Sequence, residues 1–219
     1  MRPFFIRVLY AAWDLAAFKL NLNNPFKYMP QTFLIAGLGN PGRQYEHTRH
    51  NAGFMALDVF AEGFSPVWNK WQGDKGLYAK AELSGNTVYL LKPMTFMNLS
   101  GFAVKSFSSF YKIPPKNILV IFDDMSLPLG SVRLRAGGSA GGQNGMRNII
   151  EQLGTQDIPR LRIGIGPRPA VFEGKDFVLS KFSSQEAPLL KEALIKADAA
   201  IHDFIVNGID AAMTKANAK

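Results

Sequence analysis

The alternation of strand-like and helix-like segments is the feature of this sequence that most limits what it can fold into. Apolar runs typical of β-strands recur along the chain, and several segments between them repeat apolar residues at helical spacing. The run "ILVIF" at 118–122 is apolar throughout, as in a strand that is covered on both faces. Strands alternating with helices predict an α/β fold. We expect a single-domain, three-layer sandwich with a twisted, mixed β-sheet flanked by helices.

The predicted elements follow from these patterns and from the residues that end them. Six strands are predicted, at Phe33–Ala36, Leu77–Leu83, Thr87–Leu91, Ile118–Phe122, Val132–Arg135 and Leu161–Ile165. Four helices are predicted, at Ala52–Phe64, Leu99–Tyr111, Asn144–Leu153 and Gln185–Val206. Asn98 or Ser100 is the expected N-cap of the second helix, and Gly154 marks the end of the third. The "SGN" segment at 84–86 predicts a hairpin, which makes the sheet mixed.

Length, charge and cysteine content narrow the classes of protein. The chain has 219 residues, enough for one domain with a sizeable core, and it contains no cysteine. Disulfides and thiolate metal sites are therefore excluded, and a reducing, cytoplasmic location is expected. No apolar run approaches the ~20 residues of a membrane-spanning helix. The net charge of +8 favours a polyanionic partner, with nucleic acid as the leading candidate.

Residues 1–28 differ from the rest of the chain, because they are rich in aromatic side chains and carry four basic residues against one acid, Asp14. Three interpretations are open: a targeting peptide, an extra amphipathic helix on the domain surface, or a start assigned too early. We favour the third, with the chain beginning at Met29, because a strand is predicted almost immediately after this methionine. The domain is then 29–219, and 1–28 is an N-terminal extension.

The segment "GLGNPG" at 37–42 matches the G-x-G-x-x-G pattern of a dinucleotide-binding turn and follows a predicted strand. In that motif the third glycine opens a helix whose N-terminus meets the pyrophosphate. Here Pro41 lies inside the motif, and the nine residues "RQYEHTRHN" that follow lack apolar periodicity. The acids about 20 positions on, Asp58 and Glu62, fall inside a predicted helix instead of ending a strand. The sequence therefore disfavours a dinucleotide enzyme.

Polar side chains follow the ends of four predicted strands. They are Asn40, Tyr45, His50 and Asn51 after the first strand, Asn98 after the third, Asp123 and Asp124 after the fourth, and Asn144 after the fifth. Each taken alone is explained as a cap, a turn former or a surface residue. In open α/β sheets, however, sites gather at the carboxyl ends of the strands. Together these residues supply a titratable base, a carboxylate to orient it, and amides to hold a polar substrate.

Five segments of the chain, in this order, resemble the bacterial peptidyl-tRNA hydrolases. They read "GLGNPGRQYEHTRHNAG" (37–53), "KPMTFMNLSG" (92–101), "DDMSLPLG" (123–130), "GGQNGMRNI" (141–149) and "RLRIGIGP" (160–167). The resemblance covers about residues 31–215. It implies hydrolysis of the ester that joins a peptide to the 3′-terminal ribose of tRNA, which recycles tRNA. It also implies no metal or other cofactor, a monomer in the cytoplasm, and peptidyl-tRNA as the partner.

The resemblance implies roles for individual residues. His50 is expected to be the general base that activates water, with Asp123 orienting its imidazole and Asn40 contacting the peptide near the ester. The expected substrate-binding residues are Tyr45, Phe96, Asn98 and Asn144 for the peptide and terminal nucleotide, and Arg135 and Arg162 for a tRNA phosphate. The alternative function is a non-catalytic RNA-binding protein on the same fold. Retention of the His50–Asp123 pair argues against it, because binding alone does not require that pair.

Some positions depart from the common pattern of the family. Gln143 stands where many members have a histidine, and Ser126 stands where an aspartate is frequent. Ser139 and Ala140 replace part of a richer glycine/histidine loop. These departures concern the shape of the 137–142 loop and the hydrogen bonds near the following helix.

The C-terminal segment "NGIDAAMTKANAK" resembles the last helix of the family. It would place Lys215 and Lys219 near the nucleic acid.

Overall fold

The computed structural model of the protein describes residues 29–218. The expectations for residues 1–28 and for Lys219 therefore lie outside the described residues. The strands are β1 Thr32–Gly37, β2 Asn69–Trp71, β3 Gly76–Leu83, β4 Asn86–Pro93, β5 Ile118–Pro128, β6 Val132–Arg135 and β7 Arg160–Gly166. The α-helices are α1 Ala52–Glu62, α2 Ser100–Phe110, α3 Asn144–Leu153, α4 Gly174–Leu179, α5 Ala187–Asn207 and α6 Ile209–Ala216.

The strands form one seven-stranded sheet in the order β2-β3-β4-β1-β5-β7-β6. Strand β1 lies between β4 and β5 and is parallel to both, and β5 is parallel to β7. The β2–β3, β3–β4 and β6–β7 pairs are antiparallel. The expected hairpin joins β3 to β4, and its turn residues Ser84 and Gly85 both have positive φ. The prediction of a mixed sheet is confirmed.

Helices cover both faces of the sheet, which gives the expected three layers. On one face, α1, α5 and α6 bury side chains that include Leu57, Phe60 and Phe204 against alternate residues of the strands. On the other face, α2 and α3 bury side chains that include Phe107 and Met146. Each such side chain contributes roughly 1.5–3 kcal/mol when fully buried. The central strands are therefore apolar on both faces, as the "ILVIF" run predicts.

Two described elements have no counterpart among the predicted ones. Strand β2 has three residues and helix α4 has six. Neither is long enough to show a hydrophobic period, which is the signal that the prediction depends on. Strand β5 also continues to Pro128, beyond the apolar run, with a register irregularity against β7 after Asp124.

Of the two predicted helix caps, the one that ends α3 is confirmed and the one that begins α2 is not. Gly154 has φ +71° and ends α3 as expected. The N-cap of α2 is wrong, because Leu99 occupies that position and makes no side-chain hydrogen bond. A 3₁₀ turn over Met97–Leu99 runs directly into α2, so the hydroxyl of Ser100 donates instead to the Met97 carbonyl at 2.9 Å.

The four parallel strands end at the same edge of the sheet. Their last residues include Gly37 of β1, Pro93 of β4 and Gly166 of β7, and Asp123 lies at this level of β5. We call this the strand-end edge, and the loops that leave it carry the polar residues considered next. None of the helices between residues 29 and 218 is long and apolar enough to cross a membrane.

Candidate active site

The glycines of "GLGNPG" allow the chain to pack closely where β1 ends. A Cβ on Gly37 would lie 2.4 Å from the carbonyl oxygen of Gly53, and a Cβ on Gly53 would lie 2.3 Å from that of Ile121. The start of α1 can therefore rest directly on β1 and β5. Helix α1 begins at Ala52, not at Gly42, so no α-helix opens at the third glycine. This geometry agrees with the argument against a dinucleotide-binding turn.

His50 and Asp123 are in direct contact at the strand-end edge. His50 sits in a 3₁₀ turn before α1, and its Nδ1 lies 2.9 Å and 3.0 Å from the two carboxylate oxygens of Asp123. The side chain of Asp123 is only 3% exposed and that of His50 is 14% exposed. Because a carboxylate only accepts hydrogen bonds, Nδ1 is the donor, so Nε2 of the neutral imidazole keeps its lone pair, and no residue between 29 and 218 hydrogen-bonds to it. The pair can therefore accept a proton at Nε2.

Gln143 is a second partner of Asp123. It is buried at the N-cap of α3, where its Oε1 accepts a hydrogen bond from the Met146 amide at 2.8 Å. That contact fixes which end of the amide is oxygen, so Nε2 points away from the helix. Nε2 donates to Asp123 Oδ1 at 3.2 Å and lies 3.1 Å from the sulfur of Met97. Gln143 was expected only to depart from the family's common histidine, although its place just before a predicted helix is a signal for a capping side chain.

Asn40 is buried in the loop after β1 and is held at both its backbone and its side chain. Its Oδ1 accepts from the Met97 amide at 2.9 Å. Its backbone N–H donates to Asn51 Oδ1 at 2.8 Å, and its carbonyl accepts from Asn51 Nδ2 at 3.0 Å. The Nδ2 of Asn40 has no hydrogen-bond partner in the described part of the chain. That nitrogen is therefore an oriented donor that a ligand can use.

These contacts join into one closed circuit. His50 contacts Asp123, Asp123 contacts Gln143, and Gln143 contacts Met97. Met97 contacts Asn40, which is bonded to Asn51, the next residue after His50. The circuit connects the ends of β1, β4 and β5 with the start of α3. Apart from Nδ2 of Asn40, the side-chain polar atoms that form the circuit are hydrogen-bonded within it, which favours a rigid buried network.

The predicted substrate-binding residues Tyr45, Phe96, Asn98 and Asn144 are not part of this circuit. Phe96 is 56% exposed, Asn98 and Asn144 are also exposed, and Tyr45 is partly buried. They lie in the loop after β1, in the loop after β4 and at the start of α3. Their side chains form no hydrogen bond with residues 29–218. Their expected contacts with substrate remain predictions.

Arg135 and Arg162 lie on the same face of the β6–β7 ladder. The register pairs Arg135 with Arg160 and Arg133 with Arg162, and residues two apart on one strand share a face. Arg135 and Arg133 are exposed. Arg162 forms an ion pair with Asp124, and its Nη2 also donates to the hydroxyl of Ser126 at 3.2 Å. Part of its charge is thus already compensated.

Arg160 holds the glycine-rich loop over residues 137–142 by hydrogen bonds to its backbone. Its guanidinium donates to the backbone carbonyls of Ser139 and Gln156, each at 2.8 Å, and to that of Gly138. Burial, with a smaller contribution from the charge of Arg162, lowers the pKa of Arg160. An arginine stays charged even so, and the 137–142 loop therefore packs against a fixed cation.

Arg49, the residue before His50, was missed by sequence analysis. Its Nη2 contacts both carboxylate oxygens of Glu186 at 2.8 and 2.9 Å. Its guanidinium also lies 4.5 Å from the ring of Phe177 and 4.7 Å from that of Phe182. The turn that carries His50 is thereby fixed to the segment between α4 and α5. No local pattern marks an arginine as buried, so this contact could not be found from the sequence.

The surroundings of Glu186 change the pKa of its carboxyl group. Burial by itself raises its pKa. Hydrogen bonds from Ser183 and Arg49, together with the charge of Arg49, outweigh burial and lower the pKa below its ordinary value of 4.5. The ion pair with Arg49 is therefore present at neutral pH.

No group of three or more His, Cys, Asp or Glu side chains among residues 29–218 is arranged to hold a metal ion. The chemistry considered below uses only the side chains described above.

Comparisons with known proteins match nearly all of the described chain. Residues 34–219 match the family model described as Peptidyl-tRNA hydrolase. The peptidyl-tRNA hydrolase of Elusimicrobium minutum is 53% identical over 184 residues, which cover 84% of this chain and 98% of the relative. That of Desulfitobacterium hafniense is 50% identical over 188 residues, with the same coverage. The crystal structure of the Acinetobacter baumannii peptidyl-tRNA hydrolase has a TM-score of 0.81 at 37% identity, and the match covers 87% of this chain and 97% of that chain.

Proposed function

The chain belongs to the peptidyl-tRNA hydrolase family, and from this we propose that it hydrolyses the ester between a peptide, or an N-blocked amino acid, and the 3′-terminal ribose of tRNA. The observation that carries the proposal is the contact between His50 Nδ1 and Asp123, with no hydrogen bond to Nε2 of His50 from residues 29–218. A non-catalytic RNA-binding protein would not need this pair.

His50 acts as the general base in the proposed reaction. Nε2 takes a proton from water as the water oxygen attacks the ester carbonyl carbon, which gives a tetrahedral intermediate. The intermediate collapses by breaking the bond to the ribose oxygen, and that oxygen receives the proton from Nε2. The negative charge of Asp123 stabilises the imidazolium between these two steps. Proton transfer of this kind typically supplies roughly 10²–10⁴-fold in rate.

Asn40 is proposed to contact the peptide next to the ester. Its fixed Nδ2 supports this role, because an oriented amide donor can hold a carbonyl oxygen without ionising. Asn98 and Asn144 are proposed to bind the peptide backbone and the terminal nucleotide. Tyr45 and Phe96 are proposed to line the same channel. Backbone recognition suits a substrate whose peptide sequence varies.

The tRNA is proposed to lie across the β6–β7 ladder. The exposed guanidinium of Arg135 supports a phosphate contact, and Arg162 is proposed to assist from its ion pair with Asp124. Contacts of this kind release counterions, so tRNA affinity should fall as salt rises. The net charge of +8 is consistent with such a partner.

Three further statements belong to the proposal. The hydrolase domain is 29–219, which the match over residues 34–219 supports. The chain acts as a monomer, and light scattering on the purified 24.2 kDa protein tests this directly. The protein works in the cytoplasm, which its lack of cysteine fits.

The test is release of an N-blocked amino acid from blocked aminoacyl-tRNA, with the free-amine form alongside and EDTA in both reactions. Rapid hydrolysis of the blocked ester alone is expected. His50→Ala should lose nearly all turnover and still bind tRNA. His47→Asn is the matched control, because His47 lies in the same loop, is exposed, and has a φ of +63° that asparagine tolerates. Salt-sensitive tRNA binding without hydrolysis by the unmodified protein would instead favour the RNA-binding alternative.

A further inference from the structure

We propose that Gln143 is a positioning residue for the reaction, acting through Asp123. The inference rests on the proposed function, since it concerns the orientation of the His50 imidazole, the proposed general base. Gln143 occupies the position at which the sequence departs from the family's common histidine. Its contacts reach beyond those of a helix cap.

The oxygen and the nitrogen of the Gln143 amide are both hydrogen-bonded, and they reach three different parts of the fold. Oε1 caps α3 at Met146, one N–H meets Asp123 Oδ1 at the end of β5, and Nε2 also lies 3.1 Å from the sulfur of Met97 after β4. The side chain is more than nine-tenths buried. Because the amide is anchored at both its oxygen and its nitrogen, it holds the carboxylate in one orientation.

The orientation of Asp123 decides where His50 points. Oδ1 accepts from both His50 Nδ1 and Gln143 Nε2. A carboxylate held by one histidine alone can rotate about its Cβ–Cγ bond and carry the imidazole with it. A second donor, anchored on α3, opposes that rotation. The imidazole of His50 is then held in a fixed direction.

An amide performs this task without adding a titrating group. Among residues 29–218, the side chains bonded to Asp123 are His50 and Gln143, and Gln143 carries no ionisable group. The carboxylate of Asp124 is engaged by Arg162, and the guanidinium of Arg49 is engaged by Glu186. The acid limb of the kcat/KM profile should therefore follow one ionisation. In Gln143→His it should become steeper, because a second imidazole then faces the same carboxylate.

The experiment compares two variants that lack the N–H donor to Asp123 with one variant that keeps such a donor. Gln143→Ser is too short to reach Asp123 but is a favoured N-cap, so α3 keeps its cap. Gln143→Glu keeps the shape and the cap acceptor and cannot donate when ionised. Both should lower kcat about 10-fold or more, as expected when a hydrogen bond to a charged group is lost, with KM within about twofold. Gln143→His, which keeps an N–H donor, should retain at least about a third of kcat.

Asn148→Ser is the matched control, because Asn148 is a buried amide on the same helix that accepts from Gly101 N–H at 2.8 Å. It should lower the urea midpoint and leave kcat unchanged. Full kcat and KM in both Gln143→Ser and Gln143→Glu would overturn the proposal and leave Gln143 as a cap only.

A second readout does not depend on turnover. The chain has three histidines, and His50→Ala identifies the His50 signals in a ¹⁵N-imidazole NMR spectrum. The unmodified protein should show one sharp set of His50 signals, and Gln143→Ser should broaden or shift them, because the ring loses its fixed direction. If the unmodified protein does not hydrolyse the ester and these signals still change, the proposed function fails and the coupling between Gln143 and His50 stands. If it hydrolyses the ester and neither kcat nor the His50 signals respond, the inference fails.

Discussion

Asn51 and Asn40 form a reciprocal pair in which one side chain satisfies the whole backbone of the other residue. Asn51 Oδ1 accepts from the Asn40 N–H at 2.8 Å, and Asn51 Nδ2 donates to the Asn40 carbonyl at 3.0 Å. Both residues are buried. Because Asn51 follows His50 directly, the pair ties the turn that carries the proposed base to the loop that carries Asn40.

Removal of this pair should affect both stability and turnover. Asn51→Leu leaves a buried N–H and a buried C=O without partners, and each such group costs about 1–3 kcal/mol. We expect the free energy of unfolding in urea to fall by roughly 2–3 kcal/mol, and kcat to fall as His50 and Asn40 lose their fixed separation. Asn69→Leu is the control, since Asn69 is exposed and its side chain donates to the backbone of Val67, two residues away. Equal stability of the two variants would contradict the expectation.

The Arg49–Glu186 ion pair should make stability depend on pH in a specific direction. The folded pKa of Glu186 is lowered, so the pair contributes stability above the ordinary value of 4.5 and loses it as pH falls through the folded pKa. Glu186→Gln should be less stable than the unmodified protein at pH 7 by about 1–2 kcal/mol. The two stability curves should converge as pH falls below 4.5 and through the lowered pKa.

Urea unfolding at a series of pH values measures this difference. Asp74→Asn provides the comparison, because Asp74 forms an exposed ion pair with Lys70 at 2.8 Å. An exposed pair of this kind contributes little, so no measurable change is expected there. A Glu186→Gln deficit that persists unchanged at low pH would show that packing, not charge, is responsible.

Gly53 should tolerate no side chain. The Cβ of Gly53→Ala would lie 2.3 Å from the Ile121 carbonyl oxygen and 2.5 Å from the Leu38 nitrogen, and both are backbone atoms that cannot swing away. We expect destabilisation of about 3 kcal/mol or more, measured by urea unfolding. Gly85→Ala has open space around it and a φ of +77°, so it should cost only about 1 kcal/mol. A similar loss in both variants would point to backbone conformation instead of close packing.

Arg135 should contribute to tRNA affinity in a salt-dependent way. Arg135→Ala should weaken tRNA binding about equally for different tRNAs and reduce the slope of log affinity against log salt by about 1. Filter binding or fluorescence titration across a salt series measures both quantities. Lys80→Ala is the control, because Lys80 is an exposed cation on β3, near the other edge of the sheet. An unchanged slope for Arg135→Ala would remove Arg135 from the proposed phosphate contact.

Much of the fold could be predicted from the sequence, because the apolar residues within a segment show which of its side chains are buried. The strand over "ILVIF" and the helix over 144–153 are examples, since each shows its pattern of apolar residues within ten residues or fewer. His50 and Asp123 could also be named in advance, because His50 lies in the segment after the first predicted strand and Asp123 follows the apolar run of β5, and the family resemblance implies their roles. Short elements such as β2 and α4 leave too few residues for a period.

The contacts that arrange the site were decided only by the tertiary structure. Asp123 lies 73 residues from His50 and 20 from Gln143, and their meeting depends on the order of β1 and β5 in the sheet and on where α3 begins. Arg49 and Glu186 are 137 residues apart. A sequence shows which side chains are polar, but a hydrogen bond is made by distance and direction between atoms. Only the assembled sheet and helices fix those two quantities.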